Sequence, residues 1–282
     1  MNEILLDASS LKWLVCDRLY QFKACYGLQT TKNSEAFFGS AFHKYAELKV
    51  SDSKKAETYM LSYTGTEKSL FMVACMEFDS VSLPKPILFN SLPCCEHRFK
   101  VPYKTLSDGC VVYLCGTLDR VGINDAGILE VIDYKTTRKW DKSKFFTEYF
   151  HDFQMLFYYW ILQKYGHYVL SKEYADLAAE RKHAIRVLGI FLTKKPIDFD
   201  LGPNIIFEQS YLNEFSELLD TTVTSKIRII WDMYRRNVIA SPTGMIVNKC
   251  LACEFNIFCR FSNFSGALSL DSKPYNPMTH GL

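Results

Sequence analysis

Ile128-Leu-Glu-Val-Ile-Asp133-Tyr134-Lys135-Thr-Thr137, read with Gly116-Thr-Leu-Asp119-Arg120 just upstream, decides how this chain folds. The segments that hold them, Val111–Ile123 and Ile128–Tyr134, are rich in β-branched and aromatic residues, and Asn124-Asp125-Ala126-Gly127 between them has the composition of a turn. The pair reads as a β-hairpin. With the turn centred near Asp125 and Ala126, position 119 falls opposite about position 132, within one residue of Asp133. Side chains alternate along a strand, so Asp133 and Lys135 share a face. Two carboxylates and an ammonium therefore converge at one end of a strand pair that otherwise looks buried. Charges are costly to bury unless paired or bound to metal, and this pattern points to a divalent-cation site. An ordinary surface hairpin carrying Asp and Lys is the plainer alternative, but it explains less well why the acids follow strand-like, buried-looking residues.

Outward from this hairpin, apolar spacing predicts helices over residues 9–26, 37–50 and 54–78, the last with a break near Gly65. Strands are expected near 96–103, 111–123, 128–134 and 186–193, and helices over 146–165 and 211–236. The order describes an α/β fold, a small mixed sheet flanked by helices. The expected organisation is one domain over residues 1–264. It has a helical part at about 1–90, a core at about 91–200, and a C-terminal helix with a cysteine cluster at about 208–264. The Ser-, Pro- and Asn-rich tail, 265–282, is expected to be poorly ordered.

The 282 residues suffice for a sizeable core, and 48% hydrophobic with 23% charged content is ordinary for a globular chain. A net charge of +2 does not announce a nucleic-acid partner. Local clusters say more: Lys135, Arg138, Lys139, Lys142 and Lys144 in one run, Arg181, Lys182 and Arg186 in another. Such clusters are usually solvated faces. The start of the chain lacks a basic, apolar leader, and no apolar run approaches the ~20 residues of a membrane span. A cytoplasmic, membrane-free protein is expected.

In that setting ten cysteines argue for metal or cluster binding over disulfides. Cys250-Leu-Ala-Cys253-Glu-Phe-Asn-Ile-Phe-Cys259 supplies three thiols, and Cys16 or Cys25 would supply a fourth. Four thiolates hold zinc or an iron–sulfur cluster. One-plus-three spacing tilts toward [4Fe–4S], with Cys16 preferred for its Arg18-Leu-Tyr20 context. Cys75, Cys110 and Cys115 read as small buried hydrophobes.

Taken in order, these segments resemble the RecB-like branch of the PD-(D/E)XK nuclease superfamily. The similarity is greatest to its iron–sulfur forms, such as the CRISPR-associated RecB-like exonucleases, the AddB nuclease domain and exonuclease V. Cys16-Asp-Arg-Leu-Tyr20 is similar to the family's Cys-x-Arg-x-Tyr start, and Gly39-Ser-Ala-Phe-His43-Lys-Tyr-Ala-Glu47 to its Gly-x-x-x-His-x-x-x-Glu. Gly116-Thr-Leu-Asp119-Arg120, Asp133-Tyr-Lys135-Thr and Gln154-Met-Leu-Phe-Tyr158 match its Gly-x-x-Asp-Arg, Asp-x-Lys-Thr and Gln-x-x-x-Tyr. The triplet Cys250, Cys253 and Cys259 closes the series. Each motif alone is weak, but six in order are specific. Two departures are visible. Leu118 stands where the superfamily's name has proline, and Asp133 stands where many members have Glu.

The resemblance implies a Mg²⁺- or Mn²⁺-dependent DNA exonuclease that prefers single strands, with endonuclease activity also within its range. It implies His43, Asp119, Asp133 and the Tyr134 carbonyl as metal ligands, a donor set that suits a hard cation. Lys135 would position the attacking water or stabilise the transition state. Gln154 and Tyr158 would contact substrate or steady Lys135, with Glu47 and Arg120 as supporting residues. Cys16, Cys250, Cys253 and Cys259 would hold a structural [4Fe–4S] cluster. DNA repair and recombination are settings for such an enzyme, alone or as the nuclease subunit of a helicase complex. The chain has no Gly-x-x-x-x-Gly-Lys-Ser/Thr phosphate loop, so any motor would be a separate polypeptide. A non-catalytic nucleic-acid-binding or assembly subunit is the competing class.

Overall fold

Along the chain the elements begin with β1 (Glu3–Leu6), α1 (Ala8–Lys12), α2 (Asp17–Tyr20), α3 (Ser34–Ser51), α4 (Ser53–Ser62) and α5 (Lys68–Phe78). Four strands follow: β2 (Leu88–Phe89), β3 (Leu92–Pro93), β4 (Cys95–Thr105) and β5 (Val111–Ile123). The series continues with β6 (Leu129–Thr137), α6 (Lys142–Thr147), α7 (Phe153–Val169), α8 (Lys172–Ala179) and β7 (His183–Phe191). It closes with β8 (Asp198–Leu201), α9 (Gln209–Thr221) and α10 (Arg228–Arg235). The computed structural model describes residues 3–28, 34–193, 196–241, 253, 255 and 274–278. The expected α/β architecture, a mixed sheet flanked by helices, is present. The chain separates into two compact units, one drawn from residues 1–31, 100–116 and 209–282, the other from 32–99 and 117–208.

In the first unit, β1 pairs in parallel with the opening half of β5, Glu3 against Val111 through Leu6 against Leu114. Asp7 caps α1 through the Ser10 amide at 2.6 Å, and Ser10 Oγ accepts from the Asp7 amide in return, a reciprocal capping box. The single helix expected over 9–26 is interrupted, because Cys16 takes an extended backbone (φ −147°) between α1 and α2. Helices α9 and α10 run on through a wide turn at Thr222–Ile227, as the apolar period predicts. Arg18 Nε donates to the Ala240 carbonyl at 2.8 Å. The Gln21 amide donates to Val238 and accepts from the Ala240 amide, each at 2.8 Å. Early and late segments of this unit are thus tied by ordinary hydrogen bonds. Within the tail expected to be poorly ordered, residues 274–278 are described. There Tyr275 donates to Asp7 Oδ2 at 2.8 Å and packs edge-on against Trp13.

The second unit is built on β6. It pairs antiparallel with the closing half of β5 and in parallel with β7, which pairs antiparallel with β8. The hairpin turn is closed by Asn124, whose Oδ1 accepts from the amides of Ala126 and Ile128 at 3.0 Å. Gly127 follows at φ +75°, a conformation that glycine adopts without a Cβ penalty. Arg120 faces Ile132, so the next pair in register is Asp119 with Asp133, one residue from the predicted opposition. Joining parallel strands requires a long crossover, and α6, α7 and α8 supply it between β6 and β7.

Alternation along β6 and β7 divides their side chains between two faces. Ile132, Tyr134, Leu188 and Ile190 enter a core with Phe38, Phe42 and Tyr45 of α3 and Phe71 and Phe78 of α5. Burying a side chain of this size is worth roughly 2 kcal/mol, which holds α3 against β6. Gly39 of α3 lies against β6, where a Cβ would meet Thr136 Oγ1 at 3.3 Å. On the other face Phe145 of α6 packs edge-on against Phe191. The helix expected over 146–165 is two helices, because Asp152 caps a new start by accepting from the Gln154 amide at 2.6 Å. The break expected near Gly65 separates α4 from α5. Strands β1 and β8 and helix α8 were not anticipated, since elements this short show too few turns of any period.

Candidate metal centre

His43 and Glu47 of α3, Asp119, Arg120, Asp133 and Lys135 of the hairpin, and Gln154 and Tyr158 of α7 all fall within the second unit. Asp119 is 8% exposed, and its Oδ2 accepts from the Tyr134 amide at 2.6 Å, so the backbone of β6 aims the carboxylate. Asp133 is more deeply buried. Lys135 Nζ lies 2.6 Å from its Oδ2, and Gln154 Nε2 donates to its Oδ1 at 3.3 Å. Gln154 also accepts from Lys135 at 3.4 Å and donates to Tyr158 Oη at 3.1 Å. Gln154 and Tyr158, one turn apart on α7, therefore form a chain of contacts ending on Asp133 and Lys135.

His43 projects from α3 into the same region. Its Nδ1 lies 2.9 Å from Glu96 Oε1 and 3.4 Å from Asp119 Oδ1, while Nε2 lies 3.1 Å from the Tyr134 carbonyl. Acceptors thus face both edges of the ring. A neutral imidazole has one N–H, so this ring must carry a second proton or share a lone pair with a cation. Glu96 was not anticipated. Its strand start follows Cys94 and Cys95 and carries no motif signal. A close backbone weave brings it here: the Ile87 amide donates to the Val121 carbonyl and the Val121 amide to the Cys94 carbonyl, both at 2.9 Å. Pro84 crosses β5 where Gly122 leaves room, since a Cβ there would meet the Lys85 carbonyl at 2.7 Å.

The electrostatics show a surplus of negative charge. Burial, reinforced by the Asp119 charge, pushes Asp133 up to about 6 despite Lys135 beside it. Burial also raises Glu96, partly offset by His43. Asp119 is held low: burial opposes its charge, but His43 and Lys135 outweigh that cost. Burial disfavours the His43 and Lys135 cations too, yet the neighbouring carboxylates hold both above their usual ranges. One imidazole and several oxygen donors with unneutralised charge fit a hard divalent cation. His43, Glu96 and Asp119 each offer a donor atom within 4.8 Å of the others. Asp133 lies outside that group and faces Lys135.

Two supporting residues have other partners. Glu47 pairs with Lys44 at 2.7 Å. Arg120 donates through Nε and Nη2 to the Pro84 carbonyl at 2.9 and 2.7 Å, fixing the segment that crosses β5. The basic run after Lys135 is largely spent on ion pairs: Arg138 with Glu35 and Glu67, Lys139 with Glu148, Lys142 with Asp198 and Asp200. In the second cluster Lys182 pairs with Glu180, Arg186 with Glu130, and Arg181 donates to the Phe207 carbonyl. Of the expected cluster ligands, Cys16 is buried at the start of α2 and Cys253 is half-buried. Cys250 and Cys259 lie outside the described residues. Cys25 is fully buried, and burial raises its thiol well above the usual range. Among the described residues no helix is long and apolar enough to cross a membrane.

Residues 12–260 match the family model of the PD-(D/E)XK nuclease superfamily. No curated protein matches the sequence. Among solved structures, an Eubacterium rectale protein provisionally named an exonuclease is 15% identical. The alignment covers 99% of this chain and 94% of that one, with a TM-score of 0.48. The protein SSO0001 is 13% identical, with 90% and 85% covered and a TM-score of 0.35. Both likenesses are too distant to bear on function.

Proposed function

This chain belongs to the PD-(D/E)XK nuclease superfamily, and on that premise we propose that it is a divalent-metal-dependent DNA nuclease of the RecB-like, iron–sulfur branch. The reading is an exonuclease that prefers single strands. The observation that carries the chemistry is the convergence of buried Asp119 and Asp133 with half-buried Lys135 and His43, from two strands and a helix, in one anion-rich region. A retired binding module has no reason to keep that cost.

Bound there, Mg²⁺ or Mn²⁺ would neutralise phosphoryl oxygens and lower the pKa of the attacking water. His43, Asp119 and Asp133 are the side chains proposed to hold it. Lys135, kept cationic by the acids around it, orients the water or offsets charge on the pentacovalent phosphorus. Gln154 holds the Lys135 ammonium and the Asp133 carboxylate in register, and Tyr158 backs the Gln154 amide. A structural [4Fe–4S] cluster on Cys16, Cys250, Cys253 and Cys259 is proposed from the order of the sequence motifs. A helicase or other DNA-processing protein is the partner class this reading admits.

The test is Mg²⁺- or Mn²⁺-dependent digestion of end-labelled single-stranded, double-stranded and circular DNA, with Asp119→Ala and Lys135→Ala alongside. Linear single strands should be degraded fastest and circles spared, and both variants should lose cleavage while retaining DNA binding. Undiminished cleavage by both clean variants would sink the assignment. Anaerobically purified protein should be brown, with absorbance near ~400 nm from thiolate–iron charge transfer. Stoichiometric zinc without iron would refute the cluster alone.

A further inference from the structure

We propose that Trp140 is a substrate-binding residue, a platform on which a nucleobase of an unpaired DNA strand stacks beside the chemical site. This rests on the nuclease reading above and deepens it, because it assigns the preference for single strands to a side chain.

The indole is 68% exposed, whereas Trp13 is half-buried and Trp160 and Trp231 are buried. Exposure forfeits one of the largest burial gains a side chain can make. A lone exposed apolar residue is ordinary, but the setting of this one is not. It lies five residues beyond Lys135, so the two Cα atoms are no more than about 18 Å apart. That is about five nucleotides even at the ~3.4 Å rise of stacked DNA. Its backbone is pinned from both sides. Arg138 pairs with Glu35 and Glu67, and Lys139 pairs with Glu148 and donates its amide to Thr137 Oγ1 at 3.1 Å. Asp141 accepts from the Lys144 amide at 3.0 Å, and Lys142 pairs with Asp198 and Asp200. Among the described residues no ring or cation packs on the indole itself.

The neighbours of Trp140 decide what it takes. Arg138, Lys139 and Lys142 already hold carboxylates, so a phosphate backbone finds little free charge in this run. Ring faces remain. Phe37 in the first turn of α3 is 48% exposed, and Phe150 in the turn between α6 and α7 is 36% exposed. Both belong to segments that reach the end of β6. Gly39 of α3 lies against Thr136. The chain returns from Trp140 through Phe145, edge-on to Phe191 and to Tyr149, and reaches the Asp152 cap of Gln154. Tyr149 feels the charges of Lys135 and Asp133. Every base has a π-face, and stacking one on an aromatic side chain raises affinity about fivefold to a hundredfold. In a duplex those faces are covered by neighbouring pairs, so only an unpaired strand offers them. An indole on a pinned backbone also loses little freedom when it binds.

The discriminating experiment titrates the full-length protein into labelled oligodeoxythymidylate and into a labelled duplex, with Ca²⁺ in place of Mg²⁺. Wild type, Trp140→Ala and Trp140→Phe are compared by anisotropy of the DNA and, with unlabelled strands, by quenching of tryptophan emission. Trp140→Ala should weaken single-strand binding at least about fivefold, with duplex binding and the thermal midpoint unchanged. Trp140→Phe keeps a ring face and should bind nearly as wild type, yet lose most of the quenching. With Mg²⁺, Trp140→Ala should raise KM for linear single strands by the same factor and leave kcat within about twofold. Wild-type single-strand affinity in Trp140→Ala overturns the proposal, and so does equal weakening toward single strand and duplex. If Trp140→Ala changes the sedimentation of the DNA-free protein but not its DNA affinity, the indole serves a protein contact and the proposal is likewise overturned. A wild type that stacks single strands on Trp140 yet cuts nothing retires the nuclease reading and keeps this one. Cleavage by wild type with unaltered binding in Trp140→Ala does the reverse, and a wild type that neither binds nor cuts DNA removes both.

Discussion

Strand β6 buries two carboxylates to the same depth, Glu130 near its start and Asp133 at its middle, each 1% exposed. They differ in what surrounds them. Three residues apart, they point to opposite faces of the sheet. Glu130 Oε1 accepts from Asn124 Nδ2 at 2.7 Å and lies 3.5 Å from Arg186, whose own guanidinium also donates to the Gly202 and Leu201 carbonyls. One acid meets one cation there, and hairpin turn and neighbouring strand are tied together. Asp133 also meets one cation, Lys135, but Asp119 stands in the next register position, with Glu96 beyond it on His43. Burial of an acid therefore does not mark a functional site in this molecule. What sets the candidate metal centre apart is negative charge in excess of the cations present.

That contrast can be broken at either of the two positions. The largest effect is expected at Asp133. Asp133→Asn should lower the rate of metal-dependent cleavage about 10³-fold, as loss of a charge-organising group in a desolvated site does. Single-turnover digestion of labelled DNA measures it, with circular dichroism confirming an intact fold. A variant keeping a tenth of the rate would remove Asp133 from the chemistry.

The next effect belongs to the start of the strand, where His183 pairs with Leu129. His183 is 1% exposed, stacks on Tyr159 at 3.9 Å between ring centroids, and faces the Tyr159 carbonyl through Nε2. Burial pushes its pKa down to about 4. Between that value and about 6.5 the unfolded chain binds the proton and the folded chain does not. Stability is thus complete above about 6.5 and falls as the pH drops toward 4, by about 3 kcal/mol over the window. Urea midpoints across pH 4 to 7 should show this slope, and His183→Phe should flatten it. An unchanged slope in the variant would place the acid sensitivity elsewhere.

A smaller effect is expected at Glu130 itself. Glu130→Ala strips Arg186 and Asn124 of a buried acceptor and should cost about 2 kcal/mol of unfolding free energy. Cleavage per folded molecule should persist. If Glu130→Ala instead abolished cleavage at full stability, the division of β6 into a scaffolding start and a chemical middle would be wrong.

Much of this arrangement was legible in the sequence. The hairpin could be read because Asn124-Asp125-Ala126-Gly127 is local turn chemistry, and strand alternation carries Asp133 and Lys135 to one face. The spacing of Gln154 and Tyr158 on a helix was readable in the same way. Helix ends were less so. The break between α6 and α7 depends on Asp152 turning to cap the Gln154 amide, and the interruption at Cys16 depends on a single extended residue. Such choices cost little energy locally, so periodicity does not register them. The basic runs were read as solvated faces, and their individual partners stayed hidden for a different reason. Charge is visible in sequence, but its compensation is not: Lys142 meets Asp198 and Asp200 only because β8 returns alongside α6.

By itself, then, the sequence determined the short-range chemistry: which residue types lie two, three or four positions apart, and so which share a strand face or a helix turn. It determined Asp133 with Lys135, His43 on its helix and Asp119 one hairpin away. Only the tertiary structure decided which charges remain unbalanced when those pieces meet. Glu96 joins His43 because the 84–94 segment weaves across β5 by backbone hydrogen bonds, a long-range pairing with no sequence period. Arg120 leaves the site for the Pro84 carbonyl for the same reason. Local periodicities are fixed by covalent geometry and can be counted along the chain. The balance of charge in a buried site is a sum over residues that meet only after folding.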